Sequence, residues 1–179
     1  MKSNKLPHMI QPLIKYLYLR DTPFTNEEWA IVESDENYNE VYSLTEKYNV
    51  EPYELDEGSP RVLTVARLVN TLEDGTKVLR LAKAMNACSC DSPQDGSELP
   101  SDQFSKRLAQ QISGGRLLRA RGKTSEFIPL GAEKPIEATI QHLLTSSNPH
   151  VRRIAFRSMI RSKFLRPVAK VQIEETVNA

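Results

Sequence analysis

The chain is poor in the residues that mark several protein classes. Of its 179 residues only Cys88 and Cys90 are cysteines, separated by a single residue. A disulfide framework is thereby excluded. Structural zinc sites need four ligands and space their cysteines two to four residues apart, so these two read as simple loop thiols and no metal is expected. Asp91, Asp95, Glu98 and Asp102 lack calcium-loop spacing as well. None of the three histidines, His8, His142 and His150, stands in a nucleophile, metal or phosphate-loop pattern. Gly114-Gly115 lacks the spacing that cradles a nucleotide. The expectation is a protein without enzymatic activity and without a cofactor. No apolar run approaches the ~18–20 residues of a membrane span. Lys15 and Arg20 interrupt the stretch after the basic N-terminus, and no small-residue cleavage site follows. An intracellular, cytoplasmic protein is expected, with no membrane partner.

What the chain does have is charge, unevenly divided. The net formal charge is only +1. Residues 1–105 nevertheless hold 10 Lys/Arg against 18 Asp/Glu, and residues 106–170 hold 14 Lys/Arg against Glu126, Glu133 and Glu137. Asymmetry of this kind speaks to partners rather than fold, and the commonest partner of a basic half is a polyanion. The alternative is an acidic half that neutralises a basic one within one molecule.

Helix signals dominate the local pattern. Ile10, Leu13, Ile14 and Leu17 recur at helical spacing. Thr25-Asn26-Glu27-Glu28 has the form of a capping box, and Val41, Leu44 and Tyr48 suggest a further helix. Ser59-Pro60 reads as a helix start, with Val62, Leu63, Val65, Ala66, Leu68 and Val69 buried behind it. Gly75 ends that segment, and Thr76 opens another helix burying Val78, Leu81, Ala82 and Met85. Residues 87–100 form a loop by composition. Ser101 caps a helix that stops at Gly114-Gly115. Residues 116–130 read as a β-hairpin whose second strand lies at an edge because of Pro129. Helices are expected over about 134–146 and 149–164, and a closing strand near Val171 and Ile173.

The order of three helices and a basic hairpin over residues 60–130 resembles a winged helix-turn-helix domain. The best-matching stretch runs from Phe104-Ser-Lys-Arg-Leu-Ala-Gln-Gln-Ile-Ser-Gly-Gly through Arg116-Leu-Leu-Arg-Ala-Arg-Gly-Lys. The loop at 87–100 is longer than the turn usual in that family. The implied architecture is mainly α with a small β-hairpin: an acidic helical region (1–55), a winged-helix-like core (56–131) and a basic helical region (132–179).

Independently of the resemblance, Phe104, Leu108 and Ile112 share an arc of about 80° at 100° per residue, which marks a buried face. Gln103, Lys106, Arg107 and Gln110 share a separate arc of about 100°, with side chains able to meet base edges. Arg116, Arg119, Arg121 and Lys123 would then hold phosphates. Arg153, Arg157 and Arg161 form a stripe one turn apart that can track a nucleic-acid backbone, or pair instead with the acidic N-terminal third. These features point to a non-enzymatic DNA-binding protein, a transcriptional regulator or accessory protein, with duplex DNA favoured. Its acidic, Tyr-bearing N-terminal region would serve homodimerisation or a protein partner. The rival expectation is a small adaptor subunit of a larger assembly, using its basic half on nucleic acid or on an acidic protein.

Overall fold

A computed structural model describes residues 14–86, 104–119 and 126–165, together with the backbone of 173–177. Five strands form one antiparallel sheet in the order β4-β3-β2-β1-β5. They are β1 (Lys15–Arg20), β2 (Val62–Thr71), β3 (Lys77–Met85), β4 (Glu126–Pro129) and β5 (Ile173–Val177). The helices are α1 (Asn26–Val32), α2 (Tyr38–Tyr48), α3 (Lys106–Leu118), α4 (Pro135–Leu143) and α5 (Pro149–Phe164), with a 3-10 helix at Pro52–Asp56. Strands from all three sequence regions thus join one sheet. No helix among the described residues is long and apolar enough to cross a membrane.

This is an α+β fold, and it corrects the expectation of a mainly helical chain with a winged-helix-like core. The stretches read as helices at 60–73 and 76–85 are the paired strands β2 and β3, and the segment read as helical before Pro23 contains β1. The reason is burial on both sides. Residues Val62 to Leu68 are all buried, so their apolar residues form a near-continuous run that periodicity cannot separate from a buried helix. Two signals did favour strands. β2 is rich in β-branched residues, and Asp74-Gly75 sits between two apolar runs as a hairpin turn does. Gly75 adopts φ +84°, the left-handed conformation such a turn requires. Leu72 N–H donates to the Thr76 carbonyl at 2.8 Å, closing the hairpin.

Strand alternation divides the core in two. Leu17, Leu19, Leu63, Val65, Leu79 and Leu81 face one way and pack with Val32 of α1, Val41 of α2 and the inner sides of α4 and α5. Tyr16, Tyr18, Ala66 and Ala82 face the other way, under Leu117 of α3. The sheet therefore lies between a four-helix layer and a single-helix layer.

Local signals hold where they were strong. The Thr25 capping box is formed, with Glu28 N–H donating to Thr25 Oγ1 at 3.1 Å and Thr25 N–H to Glu28 Oε1 at 3.0 Å. Pro135 and Pro149 open α4 and α5. β4 is an edge strand, and β5 supplies the closing strand.

Candidate nucleic-acid interface

The single-helix layer is formed by a cationic segment. In residues 103–125 the sequence has six Lys/Arg and no Asp or Glu, and 105–119 of this run are α3 with its two cap residues. Ser105 caps the helix, its Oγ accepting from Leu108 N–H at 3.3 Å. The helix does not stop at Gly114-Gly115 but continues to Leu118. Gly114 permits this. A Cβ there would lie 2.6 Å from the Tyr16 hydroxyl, so the absent side chain lets α3 settle onto β1, with Ser113 and Leu117 buried beside it.

The faces of this helix are not those expected. Gln110, read as a base-reading residue, donates through Nε2 to the Tyr18 hydroxyl at 2.6 Å and so points at the sheet. Lys106 lies over the Tyr18 ring, 4.8 Å from its centroid. Leu108 and Ile112, read as buried, are 53% and 39% exposed. Periodicity identified an amphipathic helix but assigned its inner side wrongly, because the sheet beneath presents two tyrosines and welcomes polar partners. Arg107, Gln111, Arg116 and Arg119 are exposed. Arg116 also donates through Nη1 to the Lys83 carbonyl at 2.6 Å, tying α3 to β3. Gln103, Arg121 and Lys123 lie outside the described residues, as do Cys88 and Cys90. The hairpin expected over 116–130 is not formed as such: Arg116 to Leu118 are helical, and β4 pairs with β3.

Two cations on this side are not among the nucleic-acid-binding residues expected from the sequence. Arg20 continues the Tyr16/Tyr18 alternation of β1, with its guanidinium 5.8 Å from the Phe104 ring centroid. Arg80 of β3 lies 5.3 Å from the exposed Phe127 ring. The signal that would have found them is a two-residue period, which is invisible once the segments are read as helices.

The stripe Arg153, Arg157 and Arg161 is not part of this surface. These side chains are 4%, 0% and 2% exposed and point from α5 into the acidic N-terminal segment. Arg153 Nε donates to Asp21 Oδ1 at 3.0 Å, its Nη2 contacts Asp21 Oδ2, and its Nη1 reaches Glu57 at 3.2 Å. Arg157 Nη1 donates to Asp21 Oδ1 at 2.8 Å. Its Nη2 meets the carbonyls of Glu54 and Leu55 at 3.1 and 2.9 Å, and that of Glu57. Arg161 Nε donates to Glu28 at 2.8 Å, and its Nη2 to the Thr22 and Pro23 carbonyls at 3.0 and 3.1 Å. Burial alone would raise the Asp21 carboxyl. Hydrogen bonds from Arg153 and Ser59 and the two guanidinium charges outweigh it and hold Asp21 below the usual carboxylate range. Glu28 is likewise held low: burial opposes ionisation, and Arg161 and Thr25 overcome it. Burial pulls Arg157 down to about 10, which leaves it charged at neutral pH. The arginine stripe is an internal spine joining α5 to the chain that precedes β2, and the intramolecular alternative is the correct one for it.

One further titratable cluster lies under the β4 edge. His142 Nε2 contacts Glu126, and Lys83 Nζ is 3.6 Å from the same carboxylate. Burial raises the Glu126 carboxyl, and the His142 hydrogen bond and the Lys83 charge outweigh that effect to hold it low. Among the described residues no group of three or more His, Cys, Asp or Glu could hold a metal ion. No protein-family model matches the chain, and no curated protein or solved structure is significantly similar to it.

Proposed function

We propose that the protein is a non-enzymatic nucleic-acid-binding protein that holds duplex DNA by its phosphate backbone, with α3 as the contacting layer. The observation that supports this reading is the run 103–125, six cations without one carboxylate, whose described part is mounted as an outer helix on the sheet. Each phosphate neutralised releases condensed counterions, and this makes such a surface bind in a strongly salt-dependent way. Arg107, Arg116 and Arg119 are the contacting side chains, with Arg20 and Arg80 flanking them. Phosphate contacts fix register without reading sequence. With Gln110 turned to Tyr18, backbone contact is the main term rather than base readout. This suits an accessory component of an intracellular nucleoprotein assembly.

The test is fluorescence anisotropy of a labelled mixed-sequence duplex, titrated with the protein across a salt series. Binding should weaken as salt rises, with a slope in log salt of roughly −0.9 per phosphate contacted. Substituting Arg107→Gln and Arg119→Gln together should flatten that slope by about two, one for each cation removed. Absence of binding at low salt, or a slope unchanged by the double substitution, ends the proposal.

A further inference from the structure

On the opposite side of the sheet, the part of the four-helix layer made by α1, α2 and the 3-10 helix has the reverse character. Residues 26–57 contain eleven Asp/Glu and a single cation, Lys47. Three of the eleven are engaged with other elements: Glu28 with Arg161, Glu57 with Arg153 and Glu40 with Lys163. Two of the other eight, Glu33 and Asp56, line a groove of about 270 Å³ between α1, α2 and the 3-10 helix. Its walls are aromatic. Trp29, Tyr38, Tyr42 and Tyr53 line it, with Glu33 and Asp56 among them. Tyr38 and Tyr42 lie with ring centroids 5.0 Å apart and tilted, and they are 46% and 44% exposed, while Tyr53 is 63% exposed. Three largely exposed tyrosines thus meet in one groove.

An aromatic face attracts a cation through its quadrupole, and a carboxylate beside it adds a charge-assisted hydrogen bond. Guanidinium stacks flat on such rings and forks to carboxylates, and the groove is the size of one long side chain rather than of a drug-like ligand. We propose that this groove takes an arginine side chain from a basic, extended segment of another protein, with the rings of Tyr38, Tyr42 and Tyr53 around the guanidinium and Glu33 and Asp56 as its anionic partners. The surrounding carboxylates steer the rest of the segment. The inference is independent of the DNA reading, because the groove lies across the sheet from α3. Together the two surfaces make a bridge between a polyanion and a basic protein.

The experiment uses the full chain and a short fluorescein-labelled peptide alternating arginine and glycine, followed by anisotropy, with a glutamate–glycine peptide as control. Saturable binding of the arginine peptide alone is expected. Tyr53→Leu and Tyr42→Leu keep the apolar wall but remove the π face. Each should weaken binding by about 2–5-fold, the equivalent of about 0.5–1 kcal/mol for a cation on an exposed ring. Glu33→Gln with Asp56→Asn, both on exposed residues, should weaken it further and reduce its salt dependence. Absence of binding, binding of the glutamate peptide, or binding indifferent to all four substitutions overturns the proposal. So does displacement of the peptide by concentration-dependent self-association of the protein, seen by sedimentation, because a second copy would then be the occupant.

Discussion

Replacing Asp21 by asparagine removes one negative charge from beneath two guanidinium groups without changing volume. Asp21 is 1% exposed and accepts from Arg153 Nε at 3.0 Å, from Arg157 Nη1 at 2.8 Å and from Ser59 Oγ at 2.6 Å. Charge-assisted bonds of this kind are each worth about 1.5–3 kcal/mol. They are not additive, and the larger effect is the pair of buried cations left behind. Removing one partner of a buried ion pair costs about 3–5 kcal/mol. That is a large share of the ~5–15 kcal/mol that holds a domain folded. Arg153 keeps Glu57, and Arg157 keeps its carbonyl acceptors, which sets the expected loss near the lower end, about 3 kcal/mol. Trp29 is a convenient reporter, because it meets Phe24 edge-to-face and Phe24 lies under Arg161. Urea denaturation followed by its fluorescence measures the change, with Glu36→Gln on an exposed carboxylate as a control expected within about 0.5 kcal/mol of wild type. The pH dependence has a definite sign. Folding lowers the Asp21 pKa from its ordinary 3.8, so near that pH the unfolded chain holds the extra proton and stability rises with pH. The contribution is complete above about pH 5 and is lost as the pH falls through the native pKa. The gap between wild type and Asp21→Asn should therefore narrow on acidification from about pH 5 to pH 3. A loss below about 1 kcal/mol, or a gap that does not narrow, would refute the view of Asp21 as the anionic centre of the spine.

Two further outcomes follow from the same geometry. At Gly114 an added methyl meets the Tyr16 hydroxyl, whereas at Gly115 it meets nothing within 4 Å. Gly115→Ala should raise stability by about 0.5–1 kcal/mol through helix propensity, and Gly114→Ala should lower it by about 1–3 kcal/mol through overpacking. Tyr16→Phe in the Gly114→Ala background should restore part of the loss, and thermal denaturation compares all four. Arg153→Gln should lower the urea midpoint while leaving the salt slope of DNA binding unchanged, since this guanidinium is buried against Asp21. A slope reduced by about one would mean that α5, rather than α3, meets the phosphates.

The sequence by itself determined those features whose causes lie within a turn or two of chain. The Thr25 capping box, the prolines that open α4 and α5, the edge position of Pro129 and the strand near Ile173 are all of this kind, because cap, ring and alternation act over four residues or fewer. The excess of cations over 103–125 and of carboxylates over 26–57 was equally plain. Which side chains those charges would meet was not legible. The first seven residues of β2 are buried on both faces, so their pattern carried no period, and β1 and β3 were read as helices from apolar spacing of their own. Arg153, Arg157 and Arg161 present the same helical stripe whether they face phosphates or Asp21 and Glu28. Only the tertiary structure decided between them, by bringing a carboxylate 132 residues away in the chain to within hydrogen-bond reach. The same long-range packing turned Gln110 inward to Tyr18 and left Leu108 outside. Burial is a property of what stands opposite a side chain, and the residues opposite come from remote parts of the chain.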